Sequence, residues 1–178
     1  MLFVGIDPSL TGTAVVVLEN DNTEPVECRM CRVGDSRGMD RVLEIEKLMA
    51  RTIYDARSSR GLAVPVTVAI EHYSYGSKFN VVDLVQLGTV LRLSLIRRQY
   101  PYLDPSPGQV KKFAGIKGKT KPKAACETLW GFKPKNADIA DAYVLAQIAR
   151  ASRQKGVHLT SQQREVVASC RSGYSLVS

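Results

Sequence analysis

The chain has 178 residues and a formal net charge of +8, with 44% hydrophobic and 24% charged residues. This length and composition are typical of one globular domain with a buried core. No apolar run approaches the roughly 20 residues that cross a bilayer, and no leader precedes the first apolar run, so we expect a cytoplasmic protein without membrane contact.

The first 31 residues are predicted to form three antiparallel strands. Residues 2–6 are an unbroken apolar run, typical of a central strand that is buried on both faces. Residues 13–18 follow a turn and are rich in β-branched side chains, and apolar residues alternate with polar ones over residues 26–31. Because the connections are short, these strands form a meander.

The hydrophobic period then changes from that of a strand to that of a helix. Apolar residues recur at helical spacing over residues 42–56, and a further apolar strand follows at residues 66–70. Since a helix separates this fourth strand from the meander, we expect it to run parallel to the first. Asp7 and Glu71 directly follow the two apolar runs and therefore share one edge of the sheet.

A second helix is predicted over residues 80–98, with Asn80 as its N-cap and Asp83 at the third position. This helix is apolar almost all round, which one buried face does not require. Two interpretations remain open: the helix contacts a second subunit, or it is enclosed within one domain.

The remaining chain predicts one short strand and four helices, at residues 102–104, 106–115, 122–130, 136–153 and 161–170. We expect one domain over residues 1–155 and a C-terminal extension over residues 156–178. The extension is expected to be helical and to pack on the same domain.

Four carboxylates fall at the ends of these regular elements: Asp7, Glu71, Asp138 and Asp141. Asp138 and Asp141 lie one helical turn apart, on the helix face that packs against the sheet. A carboxylate in a buried setting is costly unless it is paired, hydrogen-bonded or bound to a metal. Carboxylates without accompanying His or Cys ligands favour hard cations such as Mg²⁺ or Mn²⁺. Two such ions about 3.5–4 Å apart can support hydrolysis of a phosphodiester.

The positive charge of the chain is concentrated in one segment, residues 109–135. This segment contains eight lysines, no arginine and a single acidic residue, Glu127. A polyanion, chiefly a nucleic acid, is the expected partner. Lysines without base-reading arginines favour contacts with the phosphate backbone over contacts with bases.

The order of elements and motifs resembles the RNase H-like fold and, within it, the RuvC family of Holliday junction resolvases. The resemblance covers about residues 1–153, and a phage-type member of the family is an open alternative. It is carried by the motifs Phe3-Val4-Gly5-Ile6-Asp7-Pro8-Ser9, Ile70-Glu71, Gln109-Val110-Lys111 and Ala137-Asp138-Ile139-Ala140-Asp141-Ala142. It implies an α/β fold with a mixed five-stranded sheet, three antiparallel strands followed by two parallel ones, flanked by helices.

The resemblance also implies roles for individual residues. Asp7, Glu71, Asp138 and Asp141 would be catalytic and bind two Mg²⁺ ions, for which Mn²⁺ can substitute. Asp7 would bridge both ions, whereas some family members have His in place of Asp138. Lys111 would match a family lysine near the active site that contacts the DNA backbone, and Lys121, with Lys123 as the close alternative, would match a second. Lys112, Lys117 and Lys119 of the basic segment are also expected to bind DNA. The family places an aromatic wedge near the third residue after the glutamate; here that residue is Ser74, and its neighbours Tyr73 and Tyr75 are the alternatives.

By this resemblance, the chain is a structure-specific endodeoxyribonuclease of DNA recombination and repair. A homodimer would nick a four-way junction on two opposing strands and leave 5′-phosphate and 3′-hydroxyl ends. The helix over residues 80–98 would form the dimer contact, and a branch-migration protein is a compatible further partner.

Several alternatives to junction resolution stay open at this point. A nuclease of the same fold could cut forks or flaps, or RNA–DNA hybrids. A binding protein could bind branched DNA without cutting it, although such a protein would be expected to lack the four carboxylates. An actin-like ATPase shares the first loop pattern, but its two domains would not fit in 178 residues.

Overall fold

The structure is a computed structural model that describes residues 1–72, 81–117, 121–154, 156–170 and 172–174. Its strands are β1 (Leu2–Asp7), β2 (Thr13–Glu19), β3 (Glu27–Cys31), β4 (Val66–Ile70), β5 (Tyr102–Leu103) and β6 (Ser172–Tyr174). Its helices are α1 (Gly38–Ser58), α2 (Val81–Arg97), α3 (Pro107–Phe113), α4 (Pro122–Trp130), α5 (Ala137–Arg153) and α6 (Ser161–Ser169).

The described strands form one mixed sheet in the order β3-β2-β1-β4-β5-β6. The antiparallel meander β1-β2-β3 and the parallel pairs β1-β4 and β4-β5 are confirmed. The predicted count of five strands is wrong, because β6 adds an antiparallel edge strand next to β5. A three-residue strand is too short to show a hydrophobic period. It can lie there because Gly173 has no Cβ, which would otherwise stand 2.0 Å from the ring of Tyr102.

The two faces of the sheet bury different helices, as the alternation of side chains along a strand requires. Leu2, Val4 and Ile6 point into a core shared with α1 and α2. Phe3 points to the opposite core, which is dominated by α5. Asp7 follows the alternation of Phe3 and therefore lies on the α5 side of β1.

Helix α5 lies unusually close to β1 because residue 5 is glycine. A Cβ at Gly5 would stand 1.8 Å from the carbonyl oxygen of Ala142 and 2.4 Å from the backbone nitrogen of Ala146. Both distances are far below van der Waals contact, so any side chain at this position would push the helix off the strand. The glycine thereby sets the distance between the end of β1 and the N-terminal turns of α5.

Helix α2 is not enclosed within the domain. Leu87, Leu91 and Leu95 pack into the core, but Val82 and Leu93 on the other side are 68% and 45% exposed. The neighbouring helix α1 adds exposed Met39 and Leu43. The two helices thus present an apolar surface to solvent. Among the described residues, no helix is both long and apolar enough to cross a membrane.

Candidate active site

The ends of β1 and β4 bring two of the four predicted carboxylates together. Ile6 pairs with Ile70 in the parallel ladder, and the backbone N–H of Glu71 donates to the carbonyl of Ile6 at 3.1 Å. Glu71 is therefore the neighbour of Asp7 across the sheet. The two side chains are half-buried, and the charge of Glu71 raises the pKa of Asp7.

The other two carboxylates come from the start of α5. The side chain of Asn136 caps this helix by accepting from the N–H of Ile139 at 2.8 Å, as predicted. Asp138 and Asp141 follow in the first two turns and are both half-buried. Since Ala142 lies directly over Gly5, Asp141 lies near the end of β1, where Asp7 is located.

The electrostatics show that the four carboxylates share one region. Burial raises the pKa of Asp7 well above its ordinary value, and the charges of Glu71, Asp141 and Asp138 raise it further, in that order. Burial and then the charge of Asp141 raise the pKa of Glu71 to about 7. Burial and then the charge of Asp138 raise the pKa of Asp141 to about 6. The group resists full ionisation and would be stabilised by a nearby positive charge.

The donor set fits a hard divalent cation, because it offers carboxylate oxygens whose mutual repulsion a cation would relieve. Within the described chain, however, no three Asp, Glu, His or Cys side chains already converge as a metal-ligand cluster. Binding of a cation would therefore require these side chains to draw closer together. All four are in the parts of the chain where the backbone already brings their elements to one sheet edge.

Among the predicted DNA-binding lysines that the structure describes, Lys111 on α3 is the one whose charge acts on the carboxylates. Its charge lowers the pKa of both Glu71 and Asp141 against the raising effect of burial. The side chain is exposed. Because its charge acts on the carboxylates and its side chain is exposed to solvent, Lys111 is positioned to bind a phosphate next to them.

The other predicted DNA-binding residues fall into three groups. Lys117, Lys121 and Lys123 are exposed, and the ammonium of Lys123 donates to the carbonyl of Lys135 at 3.3 Å. Lys112 instead forms an ion pair with Glu165 of α6 at 2.5 Å, so its charge is partly neutralised by a partner that is 53 residues away. The last group lies outside the described residues: Lys119, Tyr73 and Tyr75.

A buried ionic network next to Glu71 was not predicted from the sequence. Arg92 of α2 donates to Asp104 at 2.6 Å, and the opposite carboxylate oxygen of Asp104 lies 2.8 Å from Nδ1 of His72. Arg92 also donates to the backbone carbonyl of Glu71 at 2.9 Å. The sequence signal for it was an arginine at a core-facing position of a largely apolar helix.

Comparisons with known proteins show what the chain as a whole resembles. No family model matches the chain. A curated protein from Synechococcus sp. (strain RCC307), crossover junction endodeoxyribonuclease RuvC, is 29% identical over 160 residues, which covers 84% of this chain and 98% of the relative. The chain is therefore similar to a RuvC protein over most of its length. The resemblance inferred from the motifs is confirmed.

Solved RuvC structures show the same fold. The structure of Thermus thermophilus RuvC matches with a TM-score of 0.62 at 18% identity, covering 82% of this chain and 91% of that one. T. thermophilus RuvC in complex with a Holliday junction substrate also matches with a TM-score of 0.62, at 19% identity, covering 82% and 90%. The predicted RNase H-like α/β architecture is confirmed, apart from the sixth strand.

Proposed function

We propose that this protein is a divalent-metal-dependent endodeoxyribonuclease that resolves four-way DNA junctions by paired, symmetric nicks. The observation that carries the proposal is the placement of Asp7, Glu71, Asp138 and Asp141 at one sheet edge, where burial and neighbouring carboxylate charges raise the pKa values of Asp7, Glu71 and Asp141. The RuvC relative supports the substrate, because that protein is a crossover junction endodeoxyribonuclease.

The four carboxylates would hold two Mg²⁺ ions, for which Mn²⁺ could substitute. When bound, paired cations supply activation of the attacking water and stabilisation of the leaving oxygen of the phosphodiester. Lys111 would orient a phosphate of the cleaved strand, because it is the exposed cation whose charge already reaches Glu71 and Asp141. Cleavage at this site would leave a 5′-phosphate and a 3′-hydroxyl.

The substrate would be held chiefly through its backbone. Of the lysines in the basic segment, Lys111, Lys117 and Lys121 are exposed and have no carboxylate partner among the ion pairs of the described residues. Lys112 would contribute less, since Glu165 already balances its charge. Backbone contacts of this kind recognise DNA shape more than sequence.

A homodimer would supply the second active site that symmetric nicking needs. The exposed apolar surface on α1 and α2, formed by Met39, Leu43, Val82, Val85 and Leu93, is the proposed contact between the subunits. Large exposed apolar patches commonly mark such interfaces. Action on chromosomal or phage recombination intermediates would place the protein in the cytoplasm.

A junction cleavage assay tests this function. We expect the purified protein with Mg²⁺ to nick a labelled synthetic four-way junction at symmetric positions on two opposing strands. A linear duplex with the sequence of one pair of arms is the matched control and should stay intact. Cleavage of the duplex at the same rate would contradict junction resolution, and equal cleavage of a replication fork would favour a broader branched-DNA nuclease.

A further inference from the structure

We propose that Arg92 is a positioning residue that holds Glu71 in place for metal binding; this inference rests on the proposed function in taking Glu71 as a metal ligand. Arg92 is not among the proposed metal ligands or DNA-binding residues. It acts through the backbone of Glu71 and through Asp104.

The contacts of Arg92 connect α2 to the end of β4 and to the segment after β5. Its Nη2 donates to the carbonyl oxygen of Glu71 at 2.9 Å and to Oδ1 of Asp104 at 2.6 Å, and its Nη1 donates to the carbonyl of Gly88 at 3.0 Å. The guanidinium is a planar fork with fixed directions, so these bonds define the position of the Glu71 backbone relative to α2.

Glu71 needs this support because it lies just beyond the last residue of β4. Its N–H is still bonded to β1, through the carbonyl of Ile6. Its carbonyl accepts from Arg92, and the N–H of the next residue, His72, donates to the carbonyl of Pro105 at 2.8 Å. The backbone around the carboxylate is thus held on both sides, and Arg92 supplies the bond from the helix layer.

The burial of Arg92 makes the arrangement costly unless its charge is compensated. The residue is only 7% exposed, and its partner Asp104 has a side chain that is 13% exposed. Buried ion pairs are seldom more stable than well-packed apolar side chains of similar size. An apolar residue could fill this volume but could not donate to the Glu71 carbonyl, which is the contribution that matters for the site.

Groups that orient metal ligands typically contribute about 10–100-fold to metal affinity or activity. We therefore expect Arg92→Met to weaken Mn²⁺ binding, measured by calorimetry, by about 10–100-fold and to slow junction cleavage at a fixed Mn²⁺ concentration. Binding of the junction without metal should be unchanged. Arg92→Lys should recover part of the Mn²⁺ affinity, because an ammonium can still donate to one of the two oxygens.

Arg150→Met is the matched control. Arg150 is also 7% exposed and donates to a backbone carbonyl, that of Asn22 at 3.2 Å, near the opposite end of the sheet. Both Arg92→Met and Arg150→Met remove a buried hydrogen-bond donor, so both variants should have a lower thermal unfolding temperature than the wild type. Arg150→Met should nevertheless keep the wild-type Mn²⁺ affinity. The positioning role would be overturned if the Arg92→Met and Arg150→Met variants bound Mn²⁺ with equal affinity, whether that affinity is the wild-type value or a reduced one.

Two further results keep the outcomes separate. If Arg92→Met does not fold, Asp104→Asn retains the shape of the ion-pair partner but removes its charge; reduced Mn²⁺ affinity then supports the role, and wild-type affinity overturns it. A wild-type protein that binds Mn²⁺ but never cuts junctions would refute the proposed function while the Arg92 measurement still stands. A wild-type protein that binds no Mn²⁺ would overturn both.

Discussion

Asp7→Asn is expected to abolish junction cleavage while junction binding is retained. The substitution keeps the shape of the side chain but removes a half-buried negative charge of the site. Residues that merely orient metal ligands contribute about 10–100-fold, so loss of a ligand should reduce the cleavage rate by more than about 100-fold. Single-turnover cleavage with Mg²⁺ measures the rate, and a gel-shift titration without metal measures the binding.

The same variant should be more stable than the wild type in the absence of metal. Because the pKa of folded Asp7 is raised, its contribution to stability is present at low pH and is lost as the pH rises through that raised pKa. Near pH 8 the thermal unfolding temperature should therefore be higher for Asp7→Asn, and the difference should shrink toward about pH 4.

Asp35→Asn removes a charge from an exposed position and is the control for Asp7→Asn. Its cleavage rate and unfolding temperature should match those of the wild type. Normal cleavage by Asp7→Asn, with the control intact, would refute a catalytic role for Asp7.

Gly5→Ala should destabilise the protein and disrupt the site together. The added Cβ would lie 1.8 Å from the backbone of α5, so the helix must move away from β1. Overpacking a core commonly costs about 1–3 kcal/mol, and a clash with backbone belongs at the upper end, near ~3 kcal/mol. This predicts a fall in unfolding temperature of about 6–12 °C. Displacement of Asp138 and Asp141 by about 1 Å can by itself cost about 100-fold in rate.

Gly34→Ala is the matched control for Gly5→Ala. A Cβ at Gly34 would meet no atom within 4 Å, and the backbone there does not require glycine. Thermal unfolding followed by circular dichroism should detect no loss for this variant. If Gly5→Ala unfolds at the wild-type temperature, the close approach of α5 does not determine the site.

The sequence was sufficient to predict the elements that carry strong patterns. The apolar runs at residues 2–6 and 66–70 identified two buried strands, and their separation by a helix predicted the parallel pairing that brings Asp7 beside Glu71. The cap at Asn136 and the spacing of Asp138 and Asp141 placed both aspartates at the start of α5. In each case the information is local, because it depends on residues close together in the chain.

Features that depend on distant partners were not predicted. Arg92 contacts Glu71 and Asp104, which are 21 and 12 residues away, and nothing near it in sequence indicates either contact. Lys112 was predicted to bind DNA, but its partner Glu165 is on a helix that the sequence left without a role. The roles of Lys119, Tyr73 and Tyr75 stay predictions, since these residues lie outside the described structure.

The central claim is that Asp7, Glu71 and Asp141, with Asp138 beside them, bind divalent cations at one sheet edge. Anomalous diffraction from crystals grown with Mn²⁺ tests it most directly, since each bound ion is seen at its own position. We expect anomalous peaks within about 2.0–2.6 Å of the carboxylate oxygens of Asp7 and Glu71, and we expect these peaks to be absent from Asp7→Asn crystals. Well-ordered Mn²⁺ at other sites only, with these carboxylates unliganded, would contradict it.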